Sequence, residues 1–186
     1  MAEKLITPEA MLSYPALFEP KTTPSGDLKY GCALVFPEGS DLAALKNAAL
    51  AALEERWGTK ARDMLQRKQL KWPFRDGAEK DGPGYGPGTT FLNVTSKQPP
   101  GIVDRYAGPD GKPRPITDPS EIYPGCFVRA SLRRFTYDTN GSKGVSFGLQ
   151  NLQKLRDGDR IDGRMRPEDE FEAIESGAAD LDDLLT

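Results

Sequence analysis

The chain contains no histidine, which removes the residue most often used as general base or metal ligand near neutral pH. It has two cysteines, Cys32 and Cys126, too few and too far apart for a zinc site. Both fall in stretches that read as strands, where burial as reduced thiols is expected; a disulfide needs a geometry that spacing does not certify. No apolar run approaches the roughly 18 residues of a membrane span. The opening residues, Met1 to Ile6, carry no hydrophobic signal segment. Neither Gly-x-x-x-x-Gly-Lys-Ser/Thr nor Gly-x-Gly-x-x-Gly follows a strand-like stretch, so a nucleotide cofactor has no phosphate cradle. The expectation is a cytoplasmic chain with no cofactor and no metal.

Bases are missing from the C-terminus. All 25 lysines and arginines lie at or before Arg166, whereas eight of the 28 acids lie after it, leaving 20 acids against 25 bases in the body. A net charge of -3 therefore hides a basic body joined to an acidic appendage. The division expected is a binding domain over 1–166 and an acidic, flexible tail over 167–186. With 186 residues the chain can bury one sizeable core. Its 19 glycines and 16 prolines favour short strands joined by turns over a helical bundle.

Taken in order, residues 3 to 18 read as one or two short strands broken at Pro8 and Pro15. Leu28 to Phe36 alternates Leu28, Tyr30, Cys32, Leu34 and Phe36 against Lys29, Gly31, Ala33 and Val35, the period of a strand. Ser40 is placed to cap a helix whose Leu42, Leu45, Ala49, Ala52, Leu53 and Trp57 recur at helical spacing, with Gly58 closing it. A shorter helix runs from Thr59 to about Lys68, and the pair is expected to pack as a lid on a barrel. From Leu70 a long glycine-rich loop follows, holding Trp72, Phe74 and Tyr85 beside Lys71, Arg75 and Lys80. Such a loop invites a binding role; the alternative is that Trp72 or Phe74 folds back to plug the barrel end. Thr89 to Lys97 reads as a strand with Leu92 and Val94 inward and Phe91, Asn93, Thr95 and Lys97 outward. Gly101 to Tyr106 is a further short strand ending in Arg105 and Tyr106, and 107 to 119 a proline-rich loop.

The densest signal lies between Tyr123 and Arg160. With period 2, Cys126, Val128, Ala130 and Leu132 share one face, and Phe127, Arg129, Ser131, Arg133, Phe135 and Tyr137 share the other. Asn140-Gly141 marks a turn, after which Lys143 leads into a second arm with Val145, Phe147 and Leu149 inward. Arg134 interrupts the apolar face and signals a bulge or the barrel rim. A sheet with one apolar face and one face of rings and guanidinium groups suits a polyanion with flat rings to stack, which is single-stranded nucleic acid. The candidate contacts are Lys71, Trp72, Phe74, Arg75, Tyr85, Phe91, Asn93, Lys97, Arg105, Tyr106, Phe127, Arg129, Arg133, Phe135, Tyr137 and Lys143. Phe127 and Phe135 are alternatively part of a second core. Two other classes compete: a metal-dependent nuclease using Asp76, Glu79, Asp81 or Asp104, and a barrel whose groove takes a peptide or RNA.

Three features, Phe91-Leu92-Asn93-Val94 with Pro100-Gly101-Ile102-Val103-Asp104, Tyr123-Pro124-Gly125 entering a strand, and Lys143-Gly144-Val145-Ser146-Phe147 followed by Arg156-Asp157-Gly158, carry a resemblance. Together with the Trp72-Pro73-Phe74-Arg75-Asp76-Gly77 loop and the acidic C-terminus, they make the chain similar to phage-encoded single-stranded-DNA-binding proteins once catalogued as a domain of unknown function. The resemblance implies a mainly β architecture: an oligonucleotide/oligosaccharide-binding (OB) fold, a partly open five-stranded barrel with inserted helices. It also implies a noncatalytic role in phage replication and recombination inside a bacterial host, without sequence preference. The acidic tail would compete with DNA or recruit replication proteins. This chain ends Leu184-Leu185-Thr186 with Phe171 as its nearest aromatic, unlike tails that finish on an aromatic residue.

Overall fold

A computed structural model describes residues 4–139, 141–164 and 167–174. The strands are β1 (Leu5–Ile6), β2 (Ala10–Thr22), β3 (Leu28–Phe36), β4 (Arg75–Asp76), β5 (Thr90–Ser96), β6 (Gly101–Ala107), β7 (Pro113–Pro115), β8 (Phe127–Thr139) and β9 (Ser142–Arg156). Helix α1 (Ala43–Trp57) and the shorter α2 (Ala61–Gln66) lie between β3 and β4, and α3 (Pro167–Glu170) follows β9. Of the acidic segment, residues 175–186 lie outside the described residues.

Five strands close a ring. β2 pairs with β3, β3 with β5, β5 with β9, β9 with β8, and β8 returns to β2. All of these pairs are antiparallel except β5 with β9, which are parallel and register at Thr95 and Gly148. That junction is the weakest seam of the barrel, because it carries one register pair where β3 and β5 share seven. β1 extends the β8 edge, and the β6–β7 hairpin continues the sheet beyond β9.

The inward alternation of each strand fills the barrel: Leu12 from β2, Leu34 and Phe36 from β3, Leu92 and Val94 from β5, Val128 and Leu132 from β8, Phe147 and Leu152 from β9 are all buried. Helix α1 closes one end with Leu45, Ala48, Ala49, Ala52 and Leu53. Its start departs from expectation. The Ser40 hydroxyl donates to the Pro37 carbonyl, and the Asp41 carboxylate instead accepts from the Ala43 amide. Pro15 does not break the first long strand; β2 runs through it with a shift in register between Ser13 and Ala16. Within the proline-rich loop, Pro113–Pro115 forms β7, an edge position where a missing amide donor is tolerated.

Both cysteines are buried free thiols. Burial, with Cys126 nearby as a lesser cause, pushes the Cys32 thiol up to about 12.

Candidate nucleic-acid interface

Strand β8 keeps the alternation read from its sequence. Val128, Ala130 and Leu132 are buried, while Arg129, Arg133 and Phe135 are exposed. Two shifts against β9, between Phe127 and Val128 and between Ser131 and Leu132, each place an extra β9 residue opposite the pair. Past the second shift, Arg134 stands on the side of the sheet facing α1. It donates to the Ala48 carbonyl and the Glu55 carboxylate, at 2.9 and 2.8 Å. Its neighbour Arg133 points the other way and forms no ion pair among the described residues.

On that outer side the strands present one row: Arg133 is registered with Gly148, Gly148 with Thr95, and Thr95 with Gly31. Two of the four positions are glycine, so the row has a low floor. At Gly31 the reason is close approach, since a Cβ there would run into the Val94 carbonyl oxygen. At Gly148 an added Cβ meets only ordinary contacts, 3.7 Å from the Arg133 carbonyl oxygen. Arg133, Gly148 and Thr95 of this row lie in a groove of about 840 Å³ lined also by Lys29, Ser96, Lys97, Gln98, Pro99, Phe135 and Leu149 to Asn151. No carboxylate lines it, and Lys29, Lys97 and Arg133 hold no ion pair among the described residues. Phe135 is 42% exposed and leans on Tyr137 at 6.5 Å between ring centroids. Three cations around an open ring over a glycine floor can hold phosphates while a base stacks.

The structure divides the sequence-derived candidates. Lys97, Arg133 and Phe135 come together in the groove, and Asn93 lies exposed one outward position from Thr95. Tyr137 and Lys143 continue toward the hairpin tip. Lys71 is tied beside them, its amide donating to the Lys143 carbonyl at 2.9 Å. The aromatic ring of Phe91 has no face to offer: it is 2% exposed and sealed under Tyr85, whose ring meets it edge-on at 5.3 Å. Tyr85 is half-buried, and burial raises its phenol above the usual value. Trp72 and Phe74 plug the barrel end, with Phe74 edge-on to the core residue Phe147 at 5.7 Å. Arg75 pairs with Glu79 and lies over the Phe91 ring. Phe127 and Arg129 sit at the other end of β8, under Arg156 and bonded to Gln153 respectively. Arg105 and Tyr106 stand on the β6–β7 hairpin outside the groove lining.

Sequence reasoning missed Lys29, Gln98, Gln150 and Asn151. Lys29 carried a usable signal, since it alternates opposite the apolar set of β3. Gln150 carried none, because a bulge sets its position. Three of the four acids proposed for a metal have other partners. Asp76 accepts from the Ala78 amide, Glu79 pairs with Arg75, and Asp104 pairs with Arg114 at 2.7 Å. The Arg114 hydrogen bond holds the Asp104 carboxyl below the usual carboxylate range. Among the described residues no group of three acids or cysteines is placed to hold a metal ion.

A ring ordered β2–β3–β5–β9–β8, closed by one parallel pair and with a basic groove outside, defines an OB-fold protein. The particular group follows from comparison with known proteins. The family model described as Enterobacter phage Enc34, ssDNA-binding protein, matches residues 3–185, and the chain belongs to that family. It is 33% identical over 163 residues to "Putative protein p50" of Acyrthosiphon pisum secondary endosymbiont phage 1, covering 82% of this chain and 83% of that one. The fold is shared with the single-stranded DNA-binding protein from bacteriophage Enc34, at a TM-score of 0.62 and 20% identity over 91% of this chain and 90% of that one. The same protein in complex with ssDNA gives 0.60 and 20% over 86% and 89%. The bacteriophage T7 single-stranded DNA binding protein gp2.5 gives 0.61 and 13% over 89% and 98%.

Proposed function

We propose that this chain binds single-stranded DNA in the groove between β5 and the β8–β9 hairpin, without sequence preference and without chemistry on the strand. Lys29, Lys97 and Arg133 hold the backbone, and Phe135 stacks a base. One observation carries this reading: an exposed ring and three cations without acidic partners share a groove that no carboxylate lines. Family membership supports it, and the role we assign to that binding is in phage replication and recombination inside the bacterial host. No described helix is long and apolar enough to cross a membrane.

The test uses a labelled oligothymidylate titrated with wild-type protein and with Gly148→Glu. The new Cβ fits the fold, but the carboxylate enters the groove. Gly148→Glu is expected to weaken binding at least ten-fold with an unchanged thermal unfolding midpoint; equal affinities would overturn the site. Unlabelled duplex and RNA should compete poorly, and the strand should stay intact with Mg²⁺. Shortening would instead reveal a nuclease. The acidic segment after Arg166 adds a regulatory layer by competing for the same cations. Truncation there should tighten binding, most at low salt, where screening is weakest.

A further inference from the structure

Strand β2 is distorted at one point on the outer surface. Ser13 pairs with Ala33 and Ala16 with Gly31, so three steps on β2 face two on β3, a bulge. Within it Tyr14 has φ of 46°, a left-handed backbone that bulky residues rarely adopt. Such outliers persist where the surroundings enforce them, and they concentrate at functional sites. The outcome here is a tyrosine turned out of the barrel and 55% exposed, while its neighbour Ser13 is buried.

One side of the Tyr14 ring meets an ammonium. Lys80 Nζ lies 4.3 Å from its centroid, and the same nitrogen is 5.1 Å from Tyr85 and 5.4 Å from Phe91. Contacts of this kind hold a cation on ring faces. Lys80 and Tyr85 come from the glycine-rich loop, which is thereby strapped over the outer face of β2, β3 and β5. Gly84 lets the strap lie close, because a Cβ there would run into the Met11 side chain.

This cluster shares its surface with the groove. Phe91, Asn93 and Thr95 occupy successive outward positions of β5, and Lys97 follows just past its end. Phe91 belongs to the cluster, Thr95 and Lys97 line the groove, and exposed Asn93 lies between. At strand rise, Phe91 and Thr95 are about 13 Å apart. The loop has no need of a half-exposed tyrosine to stay in place, since Tyr85 and Phe91 already flank Lys80.

We propose that a single strand held in the groove continues across Asn93 to this cluster, where a base stacks on Tyr14 and Lys80 takes a flanking phosphate. The inference rests on the groove reading, and the experiment separates the two. Fluorescence anisotropy is measured with oligothymidylates of about four and about twelve nucleotides, within the range of site sizes of one OB fold. The proteins are wild type, Tyr14→Ala, Tyr14→Phe, and the groove variant Arg133→Glu. Tyr14→Ala should weaken the longer strand about ten-fold and leave the shorter within two-fold. Tyr14→Phe keeps the ring and should match wild type on both. A twelve-mer carrying 5-iododeoxyuridine should photocrosslink to the Tyr14 peptide. Loss with Arg133→Glu but none with Tyr14→Ala would overturn the extension and leave the groove standing. Equal losses on both lengths with Tyr14→Ala would overturn its placement at the far end. Wild-type binding by Arg133→Glu would overturn the groove itself.

Discussion

The two ends of the outer face of β8 have nearly the same composition and different fates. At one end Phe127 lies 3.6 Å beneath the guanidinium of Arg156, which is itself held by Glu9. Beside it Arg129 donates to the Gln153 side chain at 2.7 Å, and Gln153 donates onward to the Asp104 carbonyl. At the other end Arg133 faces Gly148, Phe135 faces Ser146 and Tyr137 faces Gly144. The difference comes from β9, which supplies long polar partners at one end and almost no side chain at the other. A ring beside an arginine stays open only where the facing strand leaves both unclaimed.

The largest expected effect comes from reversing charge at the open end. Arg133→Glu with Lys97→Glu should weaken single-strand binding a hundred-fold or more at moderate salt. It should also flatten the salt dependence, because each phosphate that is no longer neutralised takes about 0.7 from the slope of log affinity against log salt. Two such phosphates would lower the slope by about 1.4. Arg129→Glu with Arg156→Glu, equal in charge change, should alter the slope far less. Equal slopes for the two double variants, measured by anisotropy across a salt series, would erase the distinction between the ends.

The rings should separate in the same way with smaller effects. Phe135→Ala should cost about 1–3 kcal/mol of binding and little stability, since the ring stands open. Phe127→Ala should leave binding within two-fold yet lower unfolding stability by about 1–2 kcal/mol, because the ring no longer carries the Arg156 cation or packs against Gly158. Denaturant melts and titrations on the same preparations would show whether the effects cross over as described.

Much of this was legible in the sequence, because alternation is a local property. Strands β3, β5 and β8, the tight turn before β9 and the helical stripe of α1 follow from period and turn chemistry alone. Which outward residues stay free was not legible, because coverage is decided by segments distant in the chain. Phe91 looks like an outward ring, but a loop about six residues earlier folds back and seals it with Tyr85. Trp72 and Phe74 look like loop aromatics, but the barrel end needed filling and Phe147 offered an edge. Tyr14 gave no signal, since a bulge and a left-handed backbone leave no periodic trace. The two extra residues of β9 shift the register of the very strand that forms the groove, so Gln150 and Asn151 were unreadable for the same reason.

The partnered end should carry a pH signature that the open end lacks. Its hydrogen-bond chain runs from Arg129 through Gln153 to Asp104, whose carboxylate meets Arg114, which also holds Glu121. Arg114 keeps the Asp104 carboxyl below the usual carboxylate range. A folded-state value below the unfolded one of about 3.9 means that the ionised pair adds stability at neutral pH. That contribution disappears as pH falls through the folded value, when the carboxylate takes up its proton. Asp104→Asn should therefore melt slightly below wild type from about pH 6 to 8, and the gap should close below about pH 4. The pair is partly solvated, so the gap is small and should shrink in high salt. A gap that persists unchanged into acid would mean that Asp104 acts through shape and not charge.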